Sequence, residues 1–464
     1  MNIQENSISE LISAFTSSFP AQEIPRNVLD LAKLCIIDTV GIAYASRNFD
    51  FSQTVLKTMT ELSGPGTSPV IGQTKGLSMR DAAFCNAALI HGLDYDDTHL
   101  DAVTHCSSSL WPVALSVGLE TNSPGLKTLV AFIFGTEITA RIGIVAEGQL
   151  QKLGHHPTGI IGAFGCTITA SYLYDLSTIQ IQNAIGIVSS MAAGNMEFIT
   201  EGAWTKRIHP AWAAVSGITA ASLAKHNFVG PKRPLEGQFG LFKNLLGQDK
   251  RNEIYREINT LGTTWQTLGN AIKPYPACHF NHAFADCALK LKREHKLTSN
   301  SIRKITALVH RDQIPVVCEP IAKKRRPANS YEAQFSIPYI ISAVFVYNRF
   351  TLKELTCDAL SNPSVLDLAT KIYYKDTDRS LYPKYFSGII IVETTDNQTI
   401  EVEIKYNRGS LRNPLSKSEI KKKFSTNCSS LLSEGSSLKI LGLLDSLEDL
   451  SSLNQIREAV TADR

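Results

Sequence analysis

Apolar residues recur at helical spacing along the first half of the chain. Ile8, Ile12 and Phe15 fall on one face of a helix predicted at residues 8–18. Pro25, a residue favoured in the first turn of a helix, predicts the start of a second one. The same periodicity continues in segments rich in Ala, Gly, Ser and Ile. These further predicted helices lie at residues 80–93, 109–121, 127–147, 157–175, 179–193 and 210–226.

Three glycines recur at helical spacing in one of these segments. Gly159, Gly162 and Gly165 are three residues apart. Each glycine weakens a helix by ~1 kcal/mol relative to alanine, so a repeated glycine predicts either close helix packing or a nearby ligand. The sequence alone leaves both explanations open.

The pattern changes after residue 266, where prolines and β-branched runs become frequent. Residues 302–310 predict a strand, and residues 388–395 and 399–405 predict a hairpin that turns at Asp396-Asn397. In the second strand of this hairpin apolar positions alternate with charged ones, which is typical of an antiparallel sheet with one face in water. The helices predicted between these strands lie at residues 333–347 and 363–373.

Helical signals return near the C-terminus. Ser416 followed by Glu419 forms a capping box, which predicts the start of a helix. The predicted fold class is therefore mainly α, with a large all-helical domain and a smaller α+β domain. Residues 1–266 are assigned to the large domain, residues 267–406 to the smaller domain, and residues 407–464 to a helical C-terminus that rejoins the large domain.

Composition and charge exclude several classes of protein. The net charge is +3 with both signs interspersed, so no basic surface for nucleic acid is predicted. The first residues, Met1 to Ser7, contain no basic segment followed by an apolar one, so we expect no secretory signal. We also find no uninterrupted apolar run of ~18 residues and expect no membrane span. Charged residues make up 19% of the chain, which predicts large buried surfaces and an oligomer interface.

The cysteines indicate a reducing compartment. There are nine of them, scattered along the chain, and none forms a C-x-x-C pair. This distribution argues against a disulfide framework, a zinc site built on cysteine pairs and an iron–sulfur motif. We therefore expect a cytoplasmic protein with mostly buried free thiols.

One short stretch concentrates acidic and imidazole side chains. It runs from His91 to His105 and contains four aspartates and three histidines. If the stretch is helical, Asp94, Thr98 and His105 share one face, where they could do acid–base work or bind a polar ligand. A solvated acidic loop is an equally good interpretation of this stretch alone.

Four other stretches combine polar side chains with turn residues. His156 precedes Pro157 at a predicted helix start, where orphan backbone N–H groups favour anions. Lys206 and Arg207 could hold a di- or tricarboxylate, although an exposed loop explains them as well. Lys273 lies in a proline-rich loop at the predicted domain boundary, where clefts usually form. The fourth stretch, residues 318–339, is more simply a structural loop that leads into a helix.

Taken together, these stretches resemble the MmgE/PrpD family over nearly the whole chain. Each motif is weak alone, but their common order along the chain is specific. The segments that carry the resemblance are residues 28–41, 93–99, 156–159, 205–210, 273–278, 333–339 and 413–416. The family includes 2-methylcitrate dehydratase, cis-aconitate decarboxylase and iminodisuccinate epimerase.

The resemblance implies a large all-helical domain with a smaller α+β lid domain, a homodimer, and an active site in the cleft between the domains. It also implies catalysis without a metal, an iron–sulfur cluster or an organic cofactor. The shared chemistry is proton removal or delivery at a carbon next to a carboxylate. The expected partner is thus a small carboxylate substrate, with no nucleic acid and no membrane.

The resemblance also assigns site residues. Lys206 and Arg207 are expected to bind substrate carboxylates and to offset the charge of an enolate-like intermediate. His105 and Lys273 are the candidate base and acid, and His156 is expected to orient or protonate the departing or incoming group. The implied catalytic set is His105, His156, Lys273 and Asp94, where Asp94 holds a histidine in its tautomer. The implied substrate-binding set is Thr98, Lys206 and Arg207, where Thr98 donates a hydrogen bond.

Two departures from the family pattern bear on the reaction. Family members often read His-Pro-Ser where this chain has His105-Cys106-Ser107. Itaconate-forming members carry a tyrosine in the loop that here comprises residues 316–320, which contain none. We therefore expect a 2-methylcitrate dehydratase-like hydro-lyase rather than a decarboxylase, with an epimerase or decarboxylase of the same family as the alternative.

Two interpretations from other classes stay open. A non-catalytic carboxylate-binding protein would keep the anion pocket without turnover. A metal-dependent hydrolase would use Asp96, Asp97 and His99. Loss of activity in the presence of a chelator would favour the hydrolase.

Overall fold

The structure is a computed structural model that describes residues 6–461, and the chain divides into two compact units. Unit 2 comprises Ala271–Leu415, and unit 1 comprises the residues on both sides of it. The sequence placed these two boundaries after residues 266 and 406 instead. Of the N-terminal stretch for which no secretory signal is expected, residues 1–5 lie outside the described range.

Unit 1 is almost entirely helical. Its first helices are α1 Ile8–Ser18, α2 Arg26–Ser46, α3 Asp50–Leu62, α4 Met79–His91, α5 Cys106–Glu120, α6 Gly125–Ala146 and α7 Gln149–Lys152. They are followed by α8 Pro157–Leu173, α9 Thr178–Val188, α10 Phe198–Glu201, α11 His209–Lys225, α12 Leu241–Leu246 and α13 Arg251–Ile258. Short strands lie at β1 Pro65–Ser68, β2 Thr98–His99 and β3 Asn270–Ala271, the last of which ends in unit 2.

Helix α8 is central to the packing of unit 1. It packs against α5, α6 and α11, and α11 in turn packs against α4. The close approach depends on glycine, because a Cβ atom added to Gly165 would lie 1.9 Å from Thr139 Oγ1. At Gly159 an added Cβ would lie 2.4 Å from the Ala193 carbonyl oxygen. Close packing therefore explains both glycines, against α6 at Gly165 and against the loop between α9 and α10 at Gly159.

Helix α6 is the one described helix that is long and apolar enough to cross a membrane. The sequence analysis had found no such candidate. Its most apolar 18-residue window has a mean hydropathy of 1.7, and 94% of that window is buried. The helix also carries a buried ion pair, with Arg141 Nη2 3.2 Å from Glu137 Oε2. Its burial and its contacts with α8 are those of a core helix.

Unit 2 combines short helices with one four-stranded sheet. Its helices are α14 His282–His295, α15 Ile314–Val317, α16 Ile321–Arg325, α17 Ser330–Gln334, α18 Ile337–Tyr347, α19 Cys357–Leu360 and α20 Pro363–Thr370. Its strands are β4 Ile302–Val309, β5 Ile372–Asp376, β6 Gly388–Thr394 and β7 Thr399–Ile404. The mainly α class with a smaller α+β domain is therefore confirmed.

The sheet has the order β5-β4-β6-β7. Strand β4 pairs parallel with β5 and antiparallel with β6, and β6 and β7 form the predicted hairpin with Ile390 opposite Val402. Its turn contains Asn397 at φ 64°, a conformation that asparagine tolerates better than most residues. Strand β5 was not predicted. The helix predicted at residues 363–373 ends at Thr370, and its last predicted residues belong to the start of β5.

The chain returns to unit 1 through the capping box predicted from sequence. Ser416 accepts a hydrogen bond from the Glu419 backbone N–H, and Glu419 accepts one from the Ser416 backbone. The helices that follow are α21 Lys417–Cys428, α22 Glu434–Asp445 and α23 Asn454–Thr461. Helix α21 packs along α2, so the C-terminal segment belongs to the core of unit 1.

Candidate active site

The acidic stretch is a buried loop between α4 and α5. The prediction of a helix is wrong here, because α4 ends at His91, α5 begins at Cys106, and Asp94 adopts φ 50° in between. The alternative of a solvated loop is also wrong, since Asp96 and Asp97 are fully buried. Burying several carboxylates is costly unless cations or hydrogen-bond donors surround them. The loop is therefore part of the protein interior, and its carboxylates need partners there.

Three predicted site residues meet at one carboxylate oxygen. Lys206 lies in a 3-10 helix at Trp204–Ile208, and its Nζ atom is 3.1 Å from Asp94 Oδ1. His105, at the N-cap of α5, places Nε2 4.0 Å from the same oxygen. Asp94 and Lys206 are buried and His105 is nearly so. A carboxylate, an ammonium group and an imidazole are thus gathered from two segments that are far apart in sequence.

The neighbours of His105 determine where its ring carries a proton. Nδ1 is 3.0 Å from the Asp97 carbonyl oxygen, which can only accept a hydrogen bond. Nδ1 therefore carries the hydrogen, and Nε2 is the nitrogen on the side of Asp94. Thr98 Oγ1 lies 3.4 Å from Nδ1. Asp94 contacts Lys206 rather than Nδ1, so its geometry differs from the predicted role of holding a histidine tautomer.

Two further residues join this group, His91 at the end of α4 and Asp96 of the loop, and neither was predicted as a site residue. His91 Nδ1 lies 2.8 Å from Asp96 Oδ2, and the same oxygen is 3.4 Å from His105 Nδ1. The His91 and His105 ring centroids are 4.7 Å apart, with an angle of 67° between the ring planes. Both residues lie in the acidic stretch of the sequence, but only the folded loop brings them next to His105.

His156 is paired with another histidine that sequence analysis left unassigned. His156 is the N-cap of α8, and His209 is the first residue of α11. Their Nδ1 atoms are 2.9 Å apart, so one ring donates a hydrogen bond to the other. Burial lowers the pKa of His156 and lowers that of His209 to about 4, so both rings are neutral at neutral pH. His209 was visible in the predicted Lys206 motif.

Arg207 points to a different environment from that of its neighbour Lys206. Its Nε donates a hydrogen bond of 2.8 Å to the Gly92 carbonyl oxygen, and its guanidinium lies 4.3 Å above the Phe51 ring centroid. These contacts fix the start of the acidic loop. The two adjacent cations predicted to bind substrate together therefore have different surroundings.

Lys273 belongs to unit 2, whereas the other six predicted site residues belong to unit 1. It is buried, with 1% of its surface exposed, and follows directly on Ile272, whose N–H donates to the Gly409 carbonyl oxygen. Nearby in the same loop, Tyr275 donates a hydrogen bond to Asp286. A second polar network thus surrounds this loop inside unit 2.

The residues named for a metal-dependent hydrolase do not form one group. His99 Nε2 donates to the Gln266 carbonyl oxygen and its Nδ1 accepts from the Ala102 N–H, while burial lowers its pKa to about 4. Asp97 instead accepts from the Ser107 N–H, and burial raises its pKa to about 7. Among the described residues, the donor atoms close enough together for a metal belong to His91, Asp96 and His105. The hydrogen bond from His91 to Asp96, and the 3.4 Å approach of His105 Nδ1 to the same carboxylate oxygen, account for this closeness.

Comparison with known proteins gives one consistent family. The MmgE/PrpD N-terminal domain matches residues 10–253, and the MmgE/PrpD C-terminal domain matches residues 275–449. A cis-aconitate decarboxylase-like protein of Aspergillus oryzae is 27% identical over 478 residues, covering 99% of this chain and 98% of its own length. Cis-aconitate decarboxylase of Aspergillus terreus is 26% identical, with 98% and 96% covered. The human cis-aconitate decarboxylase is 27% identical, with 97% and 94% covered.

Proposed function

Since the chain belongs to the MmgE/PrpD family, we propose that it is a lyase that moves a proton at a carbon next to a carboxylate of a small di- or tricarboxylate. One observation carries this proposal. His105 Nε2 and Lys206 Nζ approach the same buried oxygen of Asp94, at 4.0 and 3.1 Å. This arrangement supplies a proton-transfer group beside a cation that can hold a substrate carboxylate.

The first reaction to test is decarboxylation of cis-aconitate. The relatives that match this chain almost end to end carry that activity in their names. In such a reaction the bond to one carboxylate breaks and CO2 leaves. The electron pair shifts through the double bond to the vinylic carbon next to another carboxylate, and that carbon receives a proton. Lys206 would offset the charge of the resulting enolate-like intermediate, and His105 would deliver the proton.

A 2-methylcitrate dehydratase-like activity is the second candidate. The observation in its favour is the loop at residues 316–320, which lacks the tyrosine that the resemblance associates with itaconate formation. Dehydration needs an acid that protonates the leaving hydroxyl group as well as a base that removes the neighbouring proton. His105 and His156, together with Lys273, are our candidates for these two roles.

Proton NMR in deuterated buffer separates these reactions. The purified protein would be incubated with cis-aconitate, 2-methylcitrate, citrate, malate and iminodisuccinate. Itaconate with bicarbonate would identify a decarboxylase, an alkene formed from a hydroxy acid would identify a dehydratase, and deuterium exchange without elimination would identify an epimerase. Binding without any conversion would favour a carboxylate-binding protein, and activity lost with a chelator would favour a metal-dependent enzyme.

Substitutions link the activity to the proposed residues. His105→Asn and Lys273→Ala should each lower kcat by roughly 10²-fold or more, as expected for loss of a general acid or base. Asp101→Asn is the matched control, because Asp101 lies in the same loop as Asp94 but is exposed. Full activity of the Lys273→Ala variant would remove that residue from the mechanism.

A further inference from the structure

We propose that Asp96, clamped by His91, is a positioning residue that supplies the counter-charge for a protonated His105. This inference rests on the proposed function, in which His105 gains and loses a proton. Asp96 Oδ2 is the shared acceptor, at 2.8 Å from His91 Nδ1 and 3.4 Å from His105 Nδ1. Asp96 would act on the reaction only through the His105 ring.

The position of Asp96 beside Nδ1 of His105 supports this role. Nδ1 of His105 already carries a hydrogen because it faces the Asp97 carbonyl oxygen at 3.0 Å. The backbone therefore fixes the tautomer, and the Asp96 carboxylate adds a negative charge on the Nδ1 side. When Nε2 takes up a proton, the positive charge spreads over both ring nitrogens. A buried carboxylate 3.4 Å away then stabilises the imidazolium more strongly than it would in water.

Burial and the His91 contact keep this carboxylate in place. Asp96 is fully buried and His91 has 2% of its surface exposed. His91 Nδ1 must carry a hydrogen to face the carboxylate, so it donates to Asp96 Oδ2 and fixes that oxygen beside Nδ1 of His105. A buried carboxylate without such a donor would be driven towards its neutral form.

Other charged groups around His105 also influence its protonation. Asp94 lies near Nε2, Lys206 offsets Asp94, and neutral His156 lies beyond His91. Asp94 and Lys206 form a pair of opposite charges on the Nε2 side. Asp96 is the carboxylate on the Nδ1 side, and its removal should therefore disfavour protonation of His105.

NMR of the histidine rings in the full-length protein tests the proposal directly. Asp96→Asn keeps an oxygen that can accept from both imidazoles but removes the negative charge. The pH at which the His105 ring becomes protonated should fall by about one unit or more, while the nitrogen-15 shifts should still report the hydrogen on Nδ1. An unchanged titration of His105 in a folded Asp96→Asn variant would overturn the proposal.

Two further measurements keep the test independent of folding defects and of the identity of the substrate. His91→Asn retains a donor where Nδ1 lies and should keep the His105 titration of the wild type, whereas His91→Leu removes the donor and should lower the pH of that titration as Asp96→Asn does. The exposed Asp101 serves as the control, and Asp101→Asn should leave the His105 titration unchanged.

If the wild type converts one of the carboxylates named above, Asp96→Asn should lower kcat for it by roughly 10²-fold with little change in KM. The acid limb of the pH–rate profile should also move to lower pH. If no compound is converted, the proposed function fails, and the ring titration alone still decides the role of Asp96. If turnover occurs and neither the titration nor the profile moves, the role of Asp96 fails while the proposed function stands.

Discussion

Lys206 and Arg207 show how neighbouring residues of like charge can serve different purposes. Lys206 contacts the Asp94 carboxylate, whereas Arg207 binds the Gly92 carbonyl oxygen and stacks on Phe51. A motif read from sequence treats them as one cationic pair. The structure separates a cation in the candidate site from one that fixes the adjoining loop.

We expect Lys206→Met and Arg207→Met to affect different quantities. Lys206→Met should lower kcat/KM by roughly 10²-fold or more, because a buried carboxylate loses its partner and the substrate loses a cation. Arg207→Met should lower the free energy of unfolding by about 1–3 kcal/mol, because the Gly92 carbonyl oxygen loses its donor. Steady-state kinetics and urea denaturation of both variants provide the comparison. Equal effects on KM would mean that both cations bind substrate.

The His156–His209 pair should make the protein less stable in mild acid. Both pKa values are depressed by burial, and Lys206 and His91 lower them further, so protonation favours the unfolded chain, where histidine has a pKa of about 6.5. The contribution of His209 is complete above pH of about 6.5 and is lost as the pH falls towards its folded pKa of about 4. Its loss should be as steep as roughly 1.4 kcal/mol per pH unit.

Urea denaturation between pH 7.5 and pH 4.5 measures this effect. His209→Asn keeps a group that can hydrogen-bond to His156 but cannot take up a proton in this range. We expect the variant to lose less stability than the wild type over the interval. Identical pH dependence in the two proteins would show that His209 does not titrate on unfolding.

At the scale of the element, the sequence of α8 reflects close packing against its neighbours more than helix propensity. An added Cβ at Gly165 would lie 1.9 Å from Thr139 Oγ1, whereas at Gly162 it would lie 3.2 Å from Ser109 Oγ. We expect Gly165→Ala to lower the free energy of unfolding by about 1–3 kcal/mol through overpacking. Gly162→Ala, three residues away on the same helix, is the matched control and should change stability by less. Thermal denaturation of the two variants decides the point.

The sequence predicted elements well where periodicity is strong. The helices α1, α8 and α11 and the hairpin of β6 and β7 lie within a few residues of their predicted bounds. Strand β5 was missed because its five residues follow a helix after a single residue. A short strand of this kind is specified by pairing with β4, which is a tertiary contact and leaves a weak local signal.

Part of the candidate site was also predicted, but from residue types and their order rather than from hydrophobic periodicity. Residue types and order in the chain pointed to Asp94, His105 and Lys206, which do come together in unit 1. The pairing partners were missed, because the Asp96 contact depends on how a non-periodic loop folds and the His209 contact depends on how α8 and α11 pack. Asp94 and Val103 adopt positive φ angles, which no hydrophobic pattern records.

At the scale of the whole molecule, unit 1 carries an apolar surface that we expect to be covered by a second copy of the chain. Trp204, Ile208 and Trp212 are 48%, 37% and 46% exposed and are spaced four residues apart. Large apolar side chains exposed close together are typical of a surface that a partner covers, and two copies of the chain related by a twofold axis would each bury it. This surface flanks Lys206 in the chain.

Trp212→Glu tests this expected homodimer. A charge placed in a desolvated interface should dissociate it, and sedimentation equilibrium should then report a monomer. Leu411→Glu is the control, because Leu411 is 63% exposed in unit 2. A wild-type protein that sediments as a monomer would rule out the homodimer, and an unaffected Trp212→Glu dimer would place the interface elsewhere.

The C-terminal segment should stabilise unit 1 and its acidic loop through one buried cation. Lys423 Nζ of α21 lies 2.8 Å from Asp38 Oδ1 of α2, donates 3.0 Å to the Tyr95 carbonyl oxygen and sits 3.6 Å above the Tyr95 ring centroid. Tyr95 is next to both Asp94 and Asp96. Residues more than three hundred positions apart are thus joined beside the candidate site.

We expect Lys423→Met to lower the free energy of unfolding by about 3–5 kcal/mol, because Asp38 would remain buried without this cation. The double variant Asp38→Leu/Lys423→Met should recover much of that loss, since no uncompensated charge remains. Lys422→Met, exposed on the same helix, is the control and should have little effect. Urea denaturation of the wild type, Asp38→Leu, Lys423→Met and the double variant gives the coupling energy. A double variant as unstable as the sum of its single variants would mean that Asp38 and Lys423 act independently.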